Sequence, residues 1–244
     1  MEARVYDKMP VRIAENASEM ALDAAGQAGT GIAEAVSRRG RANAMFATGN
    51  SQLAFIDALV ALPGIDWHEV TIFHMDEYVG IGADHPAGFR RYIRERLENR
   101  VKPATAHYLA GDAQDPDAEC RRYAALLASH PLDLCVLGIG ENGHLAFNDP
   151  PVADFEDPQD VKLVELDEAS RRQQVGEGHF PTLGSVPTHA MTVTIPALLG
   201  ARTVMAIVPE ARKAEPVRAA LTGSVSTSCP ASVLRTRGNT RLYI

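Results

Sequence analysis

The sequence predicts an α/β fold, a mostly parallel sheet flanked by helices in a single domain, on three observations. Short apolar runs of strand length alternate with longer stretches whose apolar residues recur at helical spacing. Those runs are continuous, as befits strands covered on both faces. Of the 244 residues, 45% are apolar, ample for the interior such a sheet requires.

In chain order, the expected strands are Ala42 to Phe46, Val70 to Phe73, Leu132 to Leu137, Val161 to Glu165, Met191 to Ile195, Thr203 to Val208 and Thr240 to Tyr243. Helical spacing covers Ala14 to Val36, Gln52 to Leu62, Phe89 to Leu97, Ala118 to Leu127 and Lys213 to Leu221. The stretch Pro150 to Pro158 (PPVADFEDP) reads as a loop, because the strand–helix rhythm resumes directly after it. No internal repeat is present, and one domain over residues 1–244 is the economical organisation.

A formal charge of −7 argues against nucleic acid and membrane surfaces as partners, since both select for basic patches. A small anionic ligand stays compatible with it, because local charge can oppose the net charge. Cys120, Cys135 and Cys229 are odd in number and widely spaced, which indicates neither a disulfide framework nor a zinc knuckle. The N-terminus has no apolar signal core, and no run approaches the roughly 18 apolar residues of a membrane span. A cytoplasmic protein is expected, with self-association left open.

Ligands of open α/β sheets sit at the carboxyl ends of strands, so the polar residues following each strand carry the functional reading. Thr48-Gly49-Asn50-Ser51 follows a strand and opens a helix, a geometry that can hold an anion on free N–H groups and two hydroxyls. Asn and Ser are also ordinary helix caps. There is no Walker lysine, which makes a P-loop nucleotide site a poor reading. Asp76 and Glu77 are adjacent carboxylates at the end of the second strand; one of them, in a dry cleft, could act as a general base on a carbon acid, while a helix cap is the plainer alternative.

The run Gly138-Ile139-Gly140 leads through Asn142-Gly143 to His144, a titratable imidazole, with Asp149 five residues on and able to fix its tautomer. As a dinucleotide fingerprint this run fits poorly, lying late in the chain. Arg212 and Lys213 stand at a strand-to-helix junction, where a cation opposes the helix dipole unless an anion is bound; Lys213 is therefore a phosphate candidate. No metal-ligand spacing and no nucleophile elbow occur, so metal-free acid/base chemistry is expected.

These residues stand in a longer likeness. From about Ala42 to Ala220 the chain resembles the glucosamine-6-phosphate deaminase (isomerase) family, which shares its broader fold with the 6-phosphogluconolactonases. The likeness rests on TGNS, FHMDEYVGIGADHP, DAECRRY, GIGENGHLAFNDP, VPTHAMTVTIPALLGA and ARKA. It implies a Rossmann-like sheet and conversion of glucosamine 6-phosphate and water to fructose 6-phosphate and ammonia, without cofactor. By resemblance, Asp76 moves a proton between C2 and C1, His144 shuttles the proton of ring opening, and Asp149 orients His144. Thr48, Gly49, Asn50, Ser51 and Lys213 are expected at the phosphate, with Glu77, Gly140 and Gly143 against the sugar.

Three positions depart from the family pattern. Asn142 stands where the family has Asp, Asp149 where it has Glu, and the family's phosphate-binding arginine falls in the diverged stretch EASRRQQVGEGHFP, where Arg171, Arg172 or His179 could replace it. Rival readings are a lactonase or isomerase of a related phosphosugar, and, because Asn142 cannot ionise, a sensor that binds a sugar phosphate without turning it over.

Overall fold

The computed structural model describes Met1–Ile244 throughout. An eight-stranded sheet forms its centre. It is built from β1 (Glu2–Tyr6), β2 (Met9–Ile13), β3 (Ala42–Phe46), β4 (Val70–His74), β6 (Thr105–His107), β7 (Leu134–Leu137), β10 (Thr203–Ile207) and β11 (Thr240–Tyr243). Their order across the sheet is β1-β2-β11-β10-β7-β3-β4-β6. Every neighbouring pair is parallel except the β1–β2 hairpin.

The continuous apolar runs are explained by helices on both faces. Cys135 and Leu137 of β7 point into one core with Met45, Phe73 and Ala206, whereas Leu134 and Val136 point into the other with Ala44, Phe46 and Ile72. That is period-two alternation with both faces buried. The second core is closed by α1 (Ala17–Arg39), which starts where the Asn16 side chain accepts from the Glu19 N–H and stops at Gly40, whose φ of 70° releases the chain. Its buried stripe runs through Met20, Ala24, Ala28, Ile32 and Ala35. The other helices are α2 (Leu53–Val60), α3 (Phe89–Ile93), α4 (Asn99–Val101), α5 (Pro116–Ser129), α6 (Glu168–Gly176), α7 (Ile195–Leu199) and α8 (Ala214–Thr222).

Several elements differ from expectation. The β1–β2 hairpin precedes the predicted first helix; β1 is almost wholly exposed on an edge, so burial left no apolar pattern in it to read. The helix expected over Phe89 to Leu97 is α3 followed by a π-turn at Arg94–Glu98. Val161 to Glu165 does form a strand, β8, but outside the main sheet: it pairs antiparallel with β9 (His189–Val193), which pairs with β5 (Asp76–Tyr78). Ile195, expected at a strand end, begins α7 instead, with Pro196 in its first turn.

Position follows from strand order. β3 lies beside β7; from β3 the chain continues to β4 and β6 on one side, and from β7 the sheet continues to β10 and β11 on the other. The carboxyl ends of β3 and β7 therefore flank a topological switch point, where a crevice opens. The small sheet brings β5 to the same end.

Candidate active site

A cleft lies at that switch point, where ligands of open α/β sheets bind. Four loops following strands meet in it.

After β3, Gly49 adopts φ +99°, a conformation glycine takes at little cost, and Tyr92 anchors the turn by donating its hydroxyl to the Gly49 carbonyl at 2.9 Å. The turn continues as a 3-10 segment, Asn50–Gln52, with no side chain capping it. Its leading N–H groups are thus not spent on the cap that the sequence also allowed. Thr48, Gly49, Asn50 and Ser51 all line the cleft. Ser51 Oγ accepts from Gln52 Nε2 at 3.0 Å, leaving its own hydrogen free.

After β4, the chain enters β5, where Asp76 pairs with Thr192 of β9. Asp76 lines the cleft yet is only 7% exposed. Burial, with the neighbouring Glu77 carboxylate adding to it, pushes its carboxyl well above the ordinary aspartate value. Glu77, expected at the sugar, does not reach the cleft. It is fully buried and accepts the backbone N–H groups of Tyr78, Phe89 and Arg90 at 3.0, 3.1 and 2.8 Å, so it ties β5 to the start of α3. Alternation along β5 accounts for this, because adjacent residues point to opposite faces. Burial raises the Glu77 carboxyl to about 7 against those three donors and Arg90.

After β7, the glycine turn folds back on itself, with Gly143 N–H donating to Gly140 O and Gly140 N–H to His144 O, both at 3.0 Å. His144 lines the cleft, and behind it stands a compact polar group. Asp149 Oδ1 lies 2.8 Å from His144 Nδ1 and accepts from Asn142 Nδ2 at 2.9 Å. Asn142 Oδ1 in turn accepts the His144 backbone N–H at 3.1 Å. Asp149 is 1% exposed; burial alone would raise its carboxyl, but the hydrogen bonds from His144, Asn142 and Ser170 hold it below its ordinary value. Gly140 lines the cleft beneath the imidazole, whereas Gly143, expected at the sugar, packs on Cys229 at φ +83° and shapes the loop instead.

After β10, Lys213 is 4% exposed, lines the cleft, and its ammonium has no hydrogen-bond partner; the nearest carboxylate oxygen, on Glu141, is 4.0 Å away. Burial lowers its pKa. A desolvated, unpartnered cation in a cleft favours an anionic ligand. The adjacent Arg212 is spent on Glu141, Glu177 and Glu210 at 2.9, 2.8 and 2.9 Å.

Neither Arg171 nor Arg172 reaches the cleft. Arg171 donates to the carbonyls of Leu183 and Val186 at 2.8 and 3.0 Å, and Arg172 pairs with Glu168 one turn back on an exposed face. Of the three candidates for the family's arginine, His179 alone lines the cleft, with Nε2 at 3.3 Å from Glu177. Burial opposes ionisation of Glu177, but His179, Gln173 and Arg212 hold its carboxyl at about 2. Ser170, Gln173, Gln174 and Glu177 belong to this site and escaped the sequence reading. Their signal was a polar face at i, i+3 and i+4 on α6, continued at i+7 by Glu177 just past its end, not an apolar one. No cluster of three His, Cys, Asp or Glu could hold a metal ion.

Comparison with known proteins gives one consistent picture. A family model described as glucosamine-6-phosphate isomerases/6-phosphogluconolactonase matches residues 15–243. The glucosamine-6-phosphate deaminase of Bacillus cereus (strain G9842) is 36% identical over 208 residues, 85% of this chain and 77% of that one. A solved monomeric glucosamine-6-phosphate deaminase is 28% identical and superposes with a TM-score of 0.86 over 95% of both chains. A 6-phosphogluconolactonase from Shewanella baltica OS155, at 22% identity and a TM-score of 0.80 over 98% of both chains, shares the fold.

Proposed function

Because the chain belongs to the family of glucosamine-6-phosphate isomerases and 6-phosphogluconolactonases, we propose that its cleft deaminates glucosamine 6-phosphate, giving fructose 6-phosphate and ammonia. One observation carries this reading: an unpartnered buried ammonium, Lys213, shares a cleft with a base candidate, Asp76, and an imidazole, His144. The identities to deaminases at 36% and 28% support it over the lactonase reading, whose likeness is one of fold.

The phosphate binds Lys213 and the N–H groups and hydroxyls of Thr48 to Ser51, and that remote binding positions the reacting carbons. His144 takes the proton of the anomeric hydroxyl and returns it to the ring oxygen, so the C1–O5 bond breaks and an aldehyde forms. Asp149 orients the imidazole throughout. Asp76 then removes the C2 proton and delivers it to C1, by way of an enolamine; the former aldehyde oxygen takes a proton from the substrate's ammonium group and ends as the C1 hydroxyl, and C2 ends as an iminium. Water adds to C2 and ammonia leaves. A carboxylate in a poorly solvated wall is a stronger base than one in water, which suits Asp76 to a carbon acid.

Asn142 does not argue for a sensor. Its amide donates to Asp149 and its carbonyl accepts from His144, so an uncharged residue fits between them. All the named groups come from one chain, so the proposed reaction needs no second copy, and residues 1–244 are read as one domain. Three free cysteines suit a reducing compartment, read here as the cytoplasm. No helix is long and apolar enough to cross a membrane.

The test is ammonia release coupled to fructose 6-phosphate formation by pure protein. Activity abolished by Asp76→Asn supports the assignment. No activity above background in the unmodified protein overturns it.

A further inference from the structure

Helix α6 meets the loop that carries His144 with a polar face. Gln173, Gln174 and Glu177 line the cleft from it, and Gln173 Oε1 accepts the Glu141 N–H at 3.1 Å. Ser170 lies on the same face and is 1% exposed. Its hydroxyl oxygen stands 2.5 Å from Asp149 Oδ1 and 3.0 Å from His144 Nδ1.

A serine hydroxyl has one hydrogen to place. With two oxygens 2.5 Å apart and one of them a carboxylate, that hydrogen lies between Ser170 and Asp149. Ser170 then offers His144 only lone pairs, and so does Asp149 Oδ1 at 2.8 Å. Nδ1 must therefore carry the ring hydrogen and donate it, shared between the two oxygens. Nε2 is left unprotonated, the state a base at the anomeric hydroxyl requires.

We propose that Ser170 is a positioning residue that holds the Asp149 carboxylate against His144 Nδ1, so keeping the Nδ1-protonated tautomer, and, riding on the helix that walls the cleft, makes that tautomer depend on the docking of α6. The neutral Asn142 leaves Asp149 as the one carboxylate against the imidazole, and Ser170, with Asn142, supplies the donors that keep it oriented. The rate consequence rests on the deaminase reading; the tautomer does not.

The experiment pairs nitrogen-15 NMR of His144 with kinetics on Ser170→Ala and Ser170→Thr. Unmodified protein is expected to show one tautomer, protonated at Nδ1, and Ser170→Ala, in which Asp149 keeps only its Asn142 donor and is free to turn from Nδ1, a mixture of both. On glucosamine 6-phosphate, Ser170→Ala should lose about tenfold in kcat, with KM changed less than about twofold. Ser170→Thr, which keeps the hydroxyl, should restore both signatures. An Nε2-protonated tautomer in the unmodified protein overturns the proposal whether or not any variant folds. So does a Ser170→Ala protein with unchanged tautomer and kcat, or a Ser170→Thr protein as impaired as Ser170→Ala. Absence of deaminase activity in the unmodified protein would sink the functional reading alone, and the NMR would still decide the role of Ser170.

Discussion

A β-carbon on Gly140 would stand 2.2 Å from Cε1 of His144 and 2.4 Å from its Nδ1. The imidazole lies against the glycine itself, and nothing larger fits beneath it. Gly140 has an ordinary negative φ, so its lack of a side chain serves the ring and not the backbone.

Gly140→Ala should therefore fold and fail at chemistry. Moving the ring by about 1 Å from productive geometry costs roughly 100-fold in rate. Ammonia release should fall by that order, while Tm, followed by thermal unfolding, drops by a few degrees at most. Unchanged kcat would show that the ring position over Gly140 is not used.

Asn142 and Asp149 depart from the family pattern together, and their contact explains why. Asn142 Nδ2 donates to Asp149 Oδ1, a bond that an ionised aspartate at 142 cannot make. Asn142→Asp is expected to lower kcat, by about tenfold for one lost charge-assisted bond. It should also raise the pH at which stability is lost in acid. The sign follows from Asp149: its carboxyl is held below the unfolded value, so its stabilisation is complete above about pH 4 and disappears as pH falls. A second carboxylate pushes that loss to higher pH. Unfolding curves at several pH values read this directly.

Much of this site was legible in the sequence, and the missing parts share one cause. Thr48 to Ser51, Asp76, His144 and Lys213 follow apolar strands, and a strand end in an α/β sheet has a known place. Glu77 was misjudged because adjacency in sequence reads as proximity, whereas a strand sends neighbours to opposite faces. Helix α6 was not identified because its buried residues are Ser170 and Gln174, so apolar periodicity had nothing to register. The β5–β9–β8 sheet was invisible as a separate layer, because pattern marks a strand and not its partner.

Asp76→Asn should abolish activity and stabilise the protein at neutral pH. The Asp76 carboxyl is raised in the folded state, so the folded protein binds the extra proton between the unfolded value, about 4, and its own. Stability is then greatest at low pH and declines as pH rises through the folded value. Asparagine removes that decline. The gain should appear as an increase of about 2–4 °C in Tm for each kcal/mol relieved, at pH 7 and not near pH 4. A variant less stable at pH 7 would mean that the carboxylate has a partner.

Lys213→Met removes a buried ammonium with no hydrogen-bond partner. The variant should bind glucosamine 6-phosphate more weakly, with KM up about tenfold to a hundredfold for one lost charge-assisted contact. It should nonetheless have the higher Tm without ligand, since burial disfavours the charge. Inorganic phosphate should raise the Tm of the unmodified protein and leave that of the variant almost unchanged. Equal responses to phosphate in both would remove Lys213 from the phosphate site.

The position of the family's arginine yields the last expectation. His179 lines the cleft, while Arg171 holds two carbonyls of the following segment and Arg172 pairs with Glu168 on the surface. His179→Ala should raise KM several-fold with kcat largely kept, because it removes binding that ground state and transition state share. Arg172→Ala should change nothing measurable, as exposed i,i+4 pairs contribute only about 0.3–0.5 kcal/mol. Arg171→Ala should leave KM alone and cost about 1–3 kcal/mol of stability, through the carbonyls of Leu183 and Val186 that lose their donor. His179→Arg is the informative gain: a longer cation with several donors, beside Glu177 at the cleft wall, should lower KM below that of the unmodified protein. A rise in KM with Arg171→Ala at unchanged stability would move the phosphate contact back onto α6.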